Sequence, residues 1–385
     1  MNRRDFLLSA GAASVAAAWL PGAAIAQPAE GYRRLLVLVE LKGGNDSLNT
    51  VVPYSDSAYY ALRPRIAVKR DDVIQLDART GLHPALRPLA ALWDARDLAI
   101  VQGVGYPQPN LSHFRSIEIW DTASNSDETL QEGWVARAFA AAPPPARFAA
   151  DGVVVGSSDF GPLAGNGPRT IALNETDQFL RQAKLAGSPS GRGNSALNHI
   201  LKVQGDIQQA AAHLNPNIAF RTEFPKNAFG NAVRTAAQLA ANEAGIGVVR
   251  LTLSGFDTHQ NQPGVHPRLL GELAEGLAAL KGALVEIRRW DSTLVMTYAE
   301  FGRRPQENAS NGTDHGTVAA HFVAGGRVRG GLYGQPPQLD RLESGNLAYA
   351  VDFRSLYATA LERWWGQPSA RTLNGRFAPL DLSRA

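Results

Sequence analysis

Residues 33–41 read Arg-Arg-Leu-Leu-Val-Leu-Val-Glu-Leu, an apolar run of strand length with no polar alternation. Such a run predicts a parallel strand buried on both faces. The loop Gly43-Gly44-Asn45-Asp46-Ser47 follows it directly. Further along, 86–94 and 112–120 carry helical patterning, whereas 98–104 and 151–158 read as strands. Residues 183–194 are rich in Gly and Ser and predict a surface loop, and 196–244 have helical composition. Alternation resumes with strands at 248–253, 293–298 and 318–324, a helix at 269–289 and a terminal helix at 351–365. No internal repeat interrupts this order. The pattern predicts an α/β fold whose sheet is assembled from both halves of one domain, 27–385, around a helical insertion at 183–245.

The first residues belong to a different category. Met1-Asn2-Arg3-Arg4-Asp5-Phe6 precedes an alanine-rich apolar stretch that ends at Ala24-Ile25-Ala26. This reads as a twin-arginine signal peptide over 1–26, cleaved before Gln27. Pro21 and Gly22 break the apolar run short of the roughly 20 residues a membrane-spanning helix needs. The expected partner is therefore the twin-arginine export machinery, the expected location is the periplasm or beyond, and no stable membrane insertion is expected after cleavage.

Composition narrows the chemistry. The 385 residues are 44% hydrophobic, enough for a sizeable core, and the net charge of +3 gives no footprint for nucleic acid. Cysteine is absent, so thiolate ligands, thiol nucleophiles and disulfides are excluded, and any metal must be held by oxygen and imidazole.

Acids and imidazoles cluster where predicted strands end. Asp257 and His259 follow the strand at 248–253 with alternate spacing, which suits two ligands of one metal, or a ligand and its orienting partner; a loop with Asp257 capping backbone amides is the competing reading. His266 is a lesser candidate close by. Glu300-Phe301-Gly302-Arg303 follows the strand at 293–298, placing a carboxylate for a divalent cation beside a guanidinium able to steady anionic charge. Asp314 and His315 form a further acid and imidazole pair. Asp46 sits in a glycine loop that lets backbone approach a ligand closely, or else caps a local amide. Ser112 stands at the start of a predicted helix, either as its N-cap or as a nucleophile favoured by the helix N-terminus. No Gly-x-Ser-x-Gly elbow is present, which disfavours a serine esterase of the α/β-hydrolase type.

Taken together, the segments 41–54, Gly105-Tyr106-Pro107 with Ser112-His113-Phe114, Gly255-Phe256-Asp257-Thr258-His259, and Glu300-Phe301-Gly302-Arg303 with Gly312-Thr313-Asp314-His315-Gly316 resemble a bacterial exported family. It is the family catalogued as domain of unknown function 1501. More distantly, the layout is similar to the alkaline phosphatase and sulfatase superfamily. That resemblance implies a three-layer α/β/α sandwich with a mostly parallel central sheet and one or two divalent metals held by Asp, Glu and His. By it, Asp46 corresponds to the first-strand ligand, Ser112 to the nucleophile, Asp257 with His259 to the mid-chain pair, Glu300 to the late-strand acid and His315 to the following histidine. The chain has Glu300-Phe301-Gly302 where many relatives have Asp-His-Gly, and it lacks Cys-x-Pro-x-Arg.

The expectation is an exported metal-dependent hydrolase of phosphate or sulfate esters, with an anionic ester or polysaccharide as substrate. Catalysis would rest on Ser112 and Arg303, and a divalent ion (zinc, manganese, calcium or magnesium) on Asp46, Asp257, His259, Glu300, Asp314 and His315. The alternative is a non-catalytic binding or assembly protein that recognises an anionic glycan or a co-exported partner. Trp364 and Trp365 would serve assembly only if exposed.

Overall fold

The computed structural model describes residues 30–185, 195–214 and 218–384. The signal peptide read at 1–26 and most of the Gly/Ser-rich loop lie outside the described residues. Among those described, no helix is long and apolar enough to cross a membrane.

Eleven strands matter for the site. They are β1 (Leu35–Lys42), β2 (Leu98–Gly105), β3 (Ala150–Val155), β4 (Thr170–Leu173), β5 (Ile246–Ser254), β6 (Thr293–Tyr298), β7 (Gly302–Glu307), β8 (Thr313–Gly316), β9 (Ala319–Ala324), β10 (Gly331–Gly334) and β11 (Val351–Asp352). The main sheet runs β10-β2-β9-β6-β1-β5-β3-β4, with β11 also paired to β2. Only β9 opposes the common direction, pairing antiparallel with both β2 and β6. The predicted strand at 318–324 is therefore the one reversal in a mostly parallel sheet.

Along β1, Leu35, Val37, Val39 and Leu41 enter one core and Leu36 and Leu38 the other, because successive side chains of a strand point to opposite faces. The first core packs under two helices, Ala228–Ala240 and the long Gln262–Glu286. The second packs under α1 (His113–Thr122), the helix Trp134–Ala141 and the C-terminal segment. Three layers result, with the sheet in the middle.

The region of helical composition folds as helices Ser195–His213 and Ala228–Ala240 between β4 and β5. Trp364 and Trp365 are buried, and their indole N–H groups donate to the carbonyls of Leu35 and Arg34. They anchor the C-terminal segment to β1 and offer no surface for assembly.

Candidate metal centre

In parallel sheets, ligands gather beyond the carboxyl ends of the strands. Here β1 ends at the Gly43-Gly44 loop, β5 leads to Asp257, β6 leads to Glu300, and β2 leads through a loop to His113 at the start of α1. The β7–β8 hairpin folds back over this edge and pairs Arg303 with His315. Gly43 has a φ of 113°, and a Cβ there would lie 2.4 Å from the Asp257 amide nitrogen, so the close approach of these two loops depends on glycine.

Three side chains converge. Ligand atoms of His113, Asp257 and His315 all lie within 4.8 Å of one another. His113 Nε2 is 3.4 Å from Asp257 Oδ2, and His315 Nε2 is 3.2 Å from Asp257 Oδ1. His259 joins from the exposed side, its Nε2 3.1 Å from Asp257 Oδ1 and 2.9 Å from His315 Nε2. The Phe301 ring packs against both His113 and His315, with centroids at 4.8 and 4.4 Å.

The outward nitrogens of these rings are already engaged. Nδ1 of His315 donates to the carbonyl of Leu111 at 2.8 Å, and Nδ1 of His113 faces Glu300 Oε1 at 2.8 Å. Nδ1 of His259 faces Asp314 Oδ1 at 3.3 Å. Assigning the ring protons to those contacts leaves the Nε2 lone pairs of the neutral rings aimed at one another and at a carboxylate. Acceptor atoms so arranged repel unless a cation or an added ring proton lies among them. In octahedral or tetrahedral sites with bonds of about 2.0–2.1 Å, neighbouring ligand atoms are about 2.8–3.4 Å apart. The contacts here span 2.9 to 3.4 Å, so the donor set fits a divalent ion.

The electrostatics of each group follow from its neighbours. Burial alone would raise the carboxyl of Asp257, but the hydrogen bond and charge of Arg303 outweigh it and hold it below its ordinary value. The hydrogen bond to Glu300 raises the imidazole of His113 against the opposing pull of burial. Burial lowers that of His315. Asp314 is held low, chiefly by a hydrogen bond from Asn308.

The other candidates occupy different positions. The Asp46 carboxylate is fully buried and saturated, with Arg63 on both oxygens at 2.5 and 2.9 Å, Gln262 at 2.5 Å and the Leu48 amide at 3.2 Å. It is a salt-bridged helix cap, its oxygens taken by Arg63, Gln262 and the Leu48 amide. Glu300 accepts from the Gly43 amide at 2.9 Å and orients His113 from behind. Asp314 orients His259 in the same way. His266 is buried and bonded to Asn45 Oδ1 at 2.8 Å, apart from the cluster.

The Arg303 guanidinium is buried, with its donors directed at the carbonyls of Gly44, Thr313, Gly43 and Phe256 and at Asp257. It fixes the loops and the Asp257 carboxylate. Ser112 is exposed at the N-cap of α1 and makes no side-chain cap bond. Its neighbours are both tied to the centre, Leu111 through His315 and His113 through its own ring.

His113 is the residue that sequence reasoning passed over in favour of Ser112. A histidine at the start of the helix that follows a buried strand was the available signal.

Among solved structures, the chain is similar to Ps i-CgsB, at 11% identity over 89% of this chain and 74% of that one, with a TM-score of 0.42. It is similar to the phosphonate monoester hydrolase SpPMH from Silicibacter pomeroyi, at 12% identity over 89% and 76%, TM-score 0.42. It is also similar to the alkaline phosphatase of the Antarctic bacterium TAB5, at 12% over 78% and 94%, TM-score 0.37. No curated protein matches the chain. The family described as "protein of unknown function (DUF1501)" matches residues 78–368, well over half of the sequence, and the chain belongs to that family.

Proposed function

We propose that this protein is an exported, divalent-metal-dependent hydrolase of phosphate or sulfate esters. The observation that carries the metal dependence is the convergence of Nε2 lone pairs from His113, His315 and His259 on the Asp257 carboxylate. The ester class rests on the sequence resemblance to the phosphatase and sulfatase superfamily, and export rests on the twin-arginine leader.

His113, Asp257 and His315 would hold the ion, with His259 completing the set. A divalent ion held there supplies a Lewis acid that polarises an ester oxygen and lowers the pKa of a bound hydroxyl. Glu300 and the Leu111 carbonyl keep the two inner imidazoles in the tautomer that presents Nε2. Arg303 keeps Asp257 ionised. Ser112 presents a hydroxyl unencumbered by capping at the N-terminus of α1, where free backbone amides favour developing negative charge.

Elemental analysis and turnover of an aryl phosphate and an aryl sulfate, with and without chelator, test the reading. Stoichiometric metal and chelator-sensitive turnover are expected. Protein that neither carries nor takes up a divalent ion sinks the proposal.

A further inference from the structure

Beside the centre, on the far side of Arg303, lies a cavity of about 330 Å³. That volume falls in the range of about 300–1,000 Å³ common to small-molecule sites. Arg303 lines its wall with Val318 and Ala319, and the guanidinium of the same residue holds Asp257. Val318 is three residues from His315, which places this wall within about 10 Å of that residue along the chain.

The cavity contains a built polar feature. Between β9 and β2 the register shifts, Ala319 facing Val104 and His321 facing Val101, so β2 carries one extra residue at Gln102-Gly103. This is a β-bulge, a device that re-aims side chains next to functional sites. Gly103 takes a φ of 71°, and a Cβ there would press on Ala350 at 3.1 Å. Gln102 is only 5% exposed and lines the cavity, yet among the described residues its side-chain amide makes no hydrogen bond. That leaves the amide free to bond whatever occupies the cavity, a ligand able to donate and accept included.

The remaining lining indicates the kind of ligand. Gln335 and Gln338 add two more amides, Tyr349 is 42% exposed, and Arg341 and Glu343 bring one charge of each sign. With the Arg303 charge already held by Asp257, amides and an aromatic ring suit an uncharged, hydroxyl-rich group. The anionic part of a substrate would go to the metal centre.

We infer that this cavity is a subsite for a neutral sugar ring, bonded by the Gln102 amide and flanked by Tyr349. Combined with the proposed hydrolase reading, on which that extension rests, it makes the substrate an esterified glycan. The binding itself is testable without any turnover.

Calorimetric titration and saturation-transfer NMR of the full chain with cellotriose and triacetylchitotriose provide the test. At least one should bind at millimolar concentration or tighter, with a tenfold or greater loss in Gln102→Leu and in the rim variant Tyr349→Ala. Binding should survive in His113→Ala, which removes a proposed metal ligand. If neither sugar binds, or binding ignores both cavity variants, the inference is overturned, whatever the aryl esters do. If sugar binds as expected while aryl esters are not turned over, the cavity assignment stands and the hydrolase reading is the one that fails.

Discussion

The Glu300 carboxylate meets Nδ1 of His113 at 2.8 Å, joining the end of β6 to the start of α1. The same carboxylate accepts the Gly43 amide, so a single buried acid ties two strand ends to a helix start and points His113 Nε2 toward Asp257. Glu300→Gln should therefore leave the fold intact and weaken metal affinity by about 10–100-fold, the usual effect of losing a carboxylate behind a ligating histidine. Titration of the metal-free protein with zinc, alongside the melting temperature, checks this. Unchanged affinity would remove Glu300 from the orienting role.

Asp46 and Asp257 should separate cleanly. Asp46→Asn leaves Arg63 buried without its counter-charge, and breaking a buried pair in this way costs about 3–5 kcal/mol. Metal stoichiometry should persist in whatever protein remains folded. Asp257→Asn should do the reverse, with a smaller loss in denaturant unfolding and loss of the ion. If Asp46→Asn abolishes metal binding in folded protein, the assignment of Asp46 as a structural ion pair is wrong.

Ser112 makes no cap bond, so Ser112→Ala should change stability by less than the roughly 1 kcal/mol typical of losing an N-cap. As the nucleophile, its loss should lower turnover by on the order of 10³-fold or more. A clear fall in stability with turnover unaffected would identify it as a cap alone.

Acid should destabilise the fold through its buried neutral histidines. Burial depresses the imidazoles of His83 and His266 to about 4 and that of His321 to about 3. In the unfolded chain these groups titrate near 6.5. Below that pH the unfolded state binds more protons, so their contribution is complete above pH 6.5 and is lost as pH falls through the folded values. Each ring accounts for on the order of 3 kcal/mol across that window. His321 is the cleanest probe, because both ring nitrogens lack hydrogen bonds and it stacks edgewise on Trp120. Unfolding free energy measured from pH 7 to 4 should fall less steeply in His321→Leu than in the parent protein. An identical slope would count against a neutral buried ring.

The alternation of strand and helix and the placing of acids and imidazoles at strand ends were legible in the sequence, because hydrophobic period and short motifs are local properties. Asp257, His259 and His315 could be picked out as candidates on that basis, being acid and imidazole near predicted strand ends. Which lone pair faces which donor was decided only by tertiary structure. Asp46 looks like a ligand until Arg63 is folded onto it, and Arg303 looks available until four backbone carbonyls occupy it. His113 becomes a candidate ligand only because Glu300, far along the chain, turns its ring. The bulge that aims Gln102 into the cavity depends on the pairing of β2 with β9. A side chain's chemistry is set by the groups within a few ångströms of it, and those neighbours come from distant parts of the chain.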